Sequence, residues 1–124
     1  MTATLTDCVE VLRLTHRPMS PADTLLYYDG PVLFWLPEVG AVASGRRLLA
    51  MSLPAVPGAR DPFLVAELEP EVAGRFERRE LDLRQTVLAA QAWYLLPDYR
   101  ATELVIQCVD GPLPERWLPG KVRL

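Results

Sequence analysis

Histidine and cysteine are scarce in this chain, which has one histidine, His16, and two cysteines, Cys8 and Cys108. A zinc site needs several Cys, His or carboxylate ligands at short spacings. Neither cysteine stands at motif spacing to His16, and the two are too far apart for a C-x-x-C redox pair. They read as two buried thiols of a reducing compartment, with a disulfide between the terminal strands as the alternative. No G-x-x-x-x-G-K-[ST], G-x-G-x-x-G or G-x-S-x-G occurs, so phosphate-cradling loops and a nucleophile elbow are missing. No apolar run approaches the roughly 18 residues of a membrane-spanning helix. The N-terminus has no basic stretch leading into an apolar one, the mark of a secretory signal. A cytoplasmic protein without cofactor, metal or membrane segment is expected.

What is present suits a single domain over residues 1–124. Half of the 124 residues are hydrophobic and 23% are charged, a balance that folds rather than remaining disordered. The net charge of -3 and pI near 5.1 argue against broad nucleic-acid binding. The densest apolar run is Leu26 to Pro37, L-Y-Y-D-G-P-V-L-F-W-L-P. Asp29, Gly30 and Pro31 mark a turn inside it. A strand over Leu25–Tyr28 and another over Val32–Leu36 flank that turn. On the second, Val32, Phe34 and Leu36 alternate with Leu33 and Trp35, so both faces are apolar. Such a strand lies centrally in a sheet covered on both sides, or turns one face to a partner.

Further strands are expected at Cys8–Leu14, Leu48–Leu53, Phe63–Leu68, Trp93–Leu96 and Glu103–Val109. A short helix capped at Thr6 or Asp7 is the alternative for the first. In Phe63–Leu68, Leu64, Ala66 and Leu68 make the better core face. His16 to Asp23, Glu38 to Arg47 and Pro54 to Pro62 read as loops. Glu69-Pro70-Glu71 opens a helix of about ten residues with Val72, Ala73 and Phe76 as its stripe. Asp82 and Gln85 form a D-x-x-Q box opening a second helix, although the two could be one bent element. Residues 111–124 form an irregular proline-rich tail anchored by Trp117 and Leu118. Asp-Gly-Pro recurs at Asp29 and Asp110, and two independent turns explain it, since Pro114 and Glu115 break the second copy's strand pattern.

The expected fold class is α+β: a mostly antiparallel sheet of five or six strands with a short helical segment packed on one face. A small, partly open barrel, with the last strand returning beside the first, is the runner-up. Tyr27, Tyr28, Asp29, Gly30, Pro31, Leu33 and Phe34, then Leu48 and Leu49, Glu69-Pro70 and Leu81-Asp82-Leu83-Arg84, follow a recognisable order. On these residues, roughly Leu25 to Ala90, the chain resembles a family of small uncharacterised bacterial and phage-borne domains with a Y-Y-D-G-P-x-L-F motif. The resemblance implies no established activity, cofactor or catalytic residue.

Three functional classes compete. Tyr27, Tyr28, Trp35, Trp93 and Trp117, with Tyr94 and Tyr99, are many amphipathic rings for a small domain, and such rings are enriched at interfaces. They point to a non-enzymatic protein–protein interaction or accessory domain. Within that reading, a homodimer covers the second face of Val32–Leu36 through Trp35, unless the tail lies across it. The second class is a small hydrolase using His16 and the turn carboxylates Asp29, Asp61, Asp98 and Asp110 as acid and base. The third is a nucleic-acid binder using Arg75, Arg78 and Arg79, though Glu71, Glu77 and Glu80 interleave them.

Overall fold

The structure, a computed structural model, describes residues 4–14, 24–27, 31–36, 45–54, 56–98 and 104–124. Seven strands form one antiparallel sheet: β1 (Thr4–Leu14), β2 (Thr24–Tyr27), β3 (Pro31–Leu36), β4 (Arg47–Ser52), β5 (Phe63–Leu68), β6 (Ala92–Leu96) and β7 (Leu104–Asp110). Two helices, α1 (Pro70–Glu77) and α2 (Leu83–Leu88), stand between β5 and β6. The class is α+β as expected, and the sheet is larger than the expected five or six strands because both outer segments join it. Its order is β1-β7-β6-β5-β4-β3-β2. Strands β2 to β5 thus form a meander, β6 returns beside β5 after the helices, and β1 closes onto β7. The last strand does return beside the first, but β1 and β2 stay at opposite edges, so the sheet is open and not a barrel. Thr4 already pairs with Asp110, which makes the first strand longer than the alternation at Cys8–Leu14 indicated.

Registers across the sheet sort the apolar residues into two layers. Trp35 pairs with Leu49, Leu49 with Ala66, Ala66 with Trp93, and Trp93 with Val109. This row crosses five strands on the face that the helices cover. Ala73 and Phe76 of α1, and Leu83 and Val87 of α2, pack against it. The Phe76 ring meets Trp35 edge-on, with centroids 6.4 Å apart, a preferred arrangement for aromatic pairs. The opposite face carries Phe34, Leu36, Leu48, Ala50, Phe63, Val65, Leu96 and Ile106. Phe34, Ala50 and Val65 lie in one row there, and all three are fully buried in the single chain. The small side chain of Ala50 lets the Phe34 and Phe63 rings approach to 5.2 Å. Neither described helix packs on this face.

The tail takes the other side. Leu113 and Trp117 join the helix-covered layer, so the tail extends that layer instead of lying over the second face. The Leu83 amide donates to the Val122 carbonyl at 2.6 Å, and Arg84 reaches Glu115 at 2.7 Å. Trp93 is half-buried and ties three elements together. Its indole N–H donates to the Val87 carbonyl at the end of α2 at 2.8 Å. Its ring also lies so close to Gly111 that a Cβ there would come within 2.8 Å of it. That close approach explains a glycine at this turn.

Local chemistry fixes the helix ends. Pro70 and Glu71 occupy the first turn of α1, where no backbone donor is lost and an acid meets the exposed N–H groups. The predicted box opens α2: the Gln85 amide donates to Asp82 Oδ1 at 2.7 Å, and Gln85 Oε1 accepts from the Asp82 amide at 3.0 Å. Helix α1 ends differently. The Glu80 amide donates to the Arg75 carbonyl and the Arg79 amide to that of Phe76, a Schellman closure. It needs a left-handed residue, and Arg79 supplies it at φ 66°. Glycine adopts that conformation without the clash an L side chain meets. Arg79→Gly should therefore raise the unfolding free energy by about 0.5–1 kcal/mol. Urea titration measures this, and a loss of stability would show that the Arg79 side chain holds the helix end.

Candidate functional site

Two polar clusters stand at opposite ends of β5. At its C-terminal end, Glu67 occupies a strand position whose alternate neighbours, Phe63 and Val65, belong to the second apolar layer. Glu67 is 6% exposed. A buried carboxylate is costly unless charged or hydrogen-bonded partners replace water. Here Arg46 Nη1 lies 2.7 Å from Glu67 Oε2, and the Tyr94 hydroxyl donates to Glu67 Oε1 at 3.2 Å. Arg46 also spans to Glu69 through Nη2 at 2.9 Å and Nε at 3.0 Å. The backbone aims it there: Gly45 has φ 85° and sits against Pro70. The hydrogen bond that Arg46 donates to Glu67 outweighs desolvation and holds the Arg46 guanidinium more firmly protonated than usual. Both Glu67 oxygens are engaged, so the cluster works as a clamp joining β5, β6 and the approach to β4.

At the other end of β5, a parallel bridge pairs Asp61 with Asp98. The Asp61 and Arg60 amides both donate to the Pro97 carbonyl at 3.2 Å. Two of the four turn carboxylates are thereby brought together, each half-buried. Asp110 ends β7 in an exposed position. His16, Tyr28, Asp29, Gly30 and Tyr99 lie outside the described residues, and Pro31 begins β3. Among the described residues, no group of three or more His, Cys, Asp or Glu side chains is placed to hold a metal ion. No described helix is long and apolar enough to cross a membrane.

The aromatic set divides. Trp35 is 5% exposed and Trp117 6% in the single chain. Neither ring is available to a partner, and Trp35 needs no second copy to cover it. An interior ring and an interface ring have the same chemistry in sequence, so the expectation that these two dock a partner is corrected by their burial. Trp93 is half-buried under Gly111, and Tyr94 is half-buried with its hydroxyl on Glu67. Tyr27 lies on β2, with its side chain outside the described residues. The Trp117 indole N–H is buried and makes no hydrogen bond. Arg47 stacks 3.8 Å over the Trp35 ring while pairing with Glu77 at 2.6 Å.

The arginine cluster is partly neutralised within its own helix end. Arg78 and Arg75 both approach Glu80. Arg78 holds the Glu80 carboxyl below its usual range. A depressed carboxylate stabilises the fold above its ordinary value of 4.5, and that contribution is lost as pH falls through the lowered value. The pair is exposed, so the effect is small.

Sequence reasoning missed the Arg46–Glu67–Tyr94 clamp, although Glu67 in an otherwise apolar strand was its signal. Comparison with protein families, with curated proteins and with solved structures finds no match to this chain. Tyr94→Phe should cost about 1.5–3 kcal/mol, the worth of a hydrogen bond to a charged acceptor. In a Glu67→Gln background the same change should cost less. Equal costs in both backgrounds, by urea titration, would show that the hydroxyl and the carboxylate are not coupled.

Proposed function

We propose that this domain is a non-enzymatic interaction module of the cytoplasm, an accessory unit in a multi-component bacterial or phage system, which pairs with a second copy of itself along β1. The observation that carries this reading is the sheet order, which leaves β1, eleven residues long, as an edge strand. An edge strand presents unpaired N–H and C=O groups that can take up another strand. Val9 and Glu10 hold one register with β7 between two register shifts, and they mark the middle of β1. Charge favours a copy of the same strand. Twofold antiparallel pairing centred on Glu10 sets Asp7 across from Arg13 twice, and opposite charges facing each other stabilise paired strands. Glu10 then faces its own copy, which keeps the association modest.

The test is sedimentation equilibrium over a range of protein concentration. The mass should rise toward that of a dimer, fall with Arg13→Asp, and recover in the Asp7→Arg/Arg13→Asp double variant. A monomer up to high micromolar concentration contradicts the reading. The Asp61–Asp98 bridge supports one runner-up, a small hydrolase in which these carboxylates act with His16. In that case Asp61→Asn would abolish turnover of a chromogenic ester while leaving the melting temperature unchanged.

A further inference from the structure

The chain's two cysteines stand near opposite ends of the sequence, yet the sheet puts them on neighbouring strands. Val9 of β1 pairs with Gln107 of β7, and Glu10 with Ile106. Cys8 precedes Val9 and Cys108 follows Gln107. The register shifts between Leu5 and Val9, so Thr6, Asp7 and Cys8 share the stretch facing Cys108, and Cys8 is the one that adjoins the paired Val9. Facing residues of antiparallel strands have Cα atoms about 4.5–5.5 Å apart, inside the range of about 4.4–6.8 Å that a disulfide spans. Cys108 is half-buried, and its neighbour on β6 is Tyr94. Strand β1 is at the edge, where strands open most readily and a small reagent can enter.

We propose that Cys8 and Cys108 are an oxidisable dithiol, which a small-molecule disulfide converts into a cross-strand disulfide that fastens the edge strand β1 to β7. One protein thiolate attacks the small disulfide, forms a mixed disulfide and releases one small thiol. The second protein thiolate attacks the protein sulfur of that mixed disulfide and releases the other small thiol. The protein gives up two electrons and two protons, and the small disulfide is reduced to two thiols. A thiol reductant reverses both steps, as suits a transient disulfide in a reducing compartment.

The experiment treats the full chain with oxidised glutathione at neutral pH, folded and in urea, and maps the products by mass spectrometry without reduction. Folded protein should lose two hydrogens and yield a linked Cys8–Cys108 peptide, and dithiothreitol should restore it. Closure should be at least about tenfold faster folded than in urea, because the fold holds the thiols at high effective concentration. Cys8→Ser should stop at a glutathione adduct on Cys108. Adducts accumulating at both cysteines without a link, a link only between two chains, no reaction, or equally fast closure in urea would each overturn the assignment.

Discussion

Strand β5 has no wet side. All six residues from Phe63 to Leu68 are buried, and the elements around it are arranged to keep them so. Its apolar side toward the helices, Leu64, Ala66 and Leu68, is covered by α1, α2 and the tail. Its other side packs Phe63 and Val65 among Phe34, Leu36, Leu48 and Leu96 of the neighbouring strands. Burial of apolar surface supplies most of the driving force for such a core. The same double burial creates the main polar difficulty of the fold, because Glu67 sits in the strand. Arg46 and Tyr94 resolve it, and in doing so join the meander half of the sheet to the β6–β7 half.

The helical layer follows from that constraint. Helices of eight and six residues are too short to be stable alone. Their ends are closed by a capping box, a Schellman turn and the tail's hydrogen bond to Leu83. Phe76 and Val87 then dock on a row in which Ala66 leaves space between larger neighbours. Packing and capping together hold a layer that propensity would not. The described charges serve this framework: Arg47 pairs with Glu77 over Trp35, and Arg84 with Glu115 on the tail. That framework leaves β1 and β2 at the edges of the sheet.

Local signals were legible in the sequence. The D-x-x-Q pattern at Asp82 became a capping box, Pro70 became the first residue of a helix, and the alternation of Leu64, Ala66 and Leu68 marked a core face. These depend on neighbours within a few residues. The features that escaped depend on distant partners. Arg46 and Glu67 are 21 positions apart, and nothing local announces their pairing. The Asp61–Asp98 bridge exists only because β5 and β6 are adjacent. Arg79 carries no sign of its left-handed conformation, since glycine is the residue that normally marks it. Trp35 and Trp117 look like interface rings in sequence because an apolar surplus carries no sign that both faces of the sheet are buried within one chain.

One chain covers both faces of β3, β4 and β5. Native-state amide hydrogen exchange tests it most directly, at protein concentrations low enough for the chain to be monomeric. The amides of Phe34, Ala50 and Val65 should be among the slowest to exchange, at rates that do not change on further dilution. Protection of these amides that disappears on dilution would mean that a second molecule covers one face, and would contradict the account.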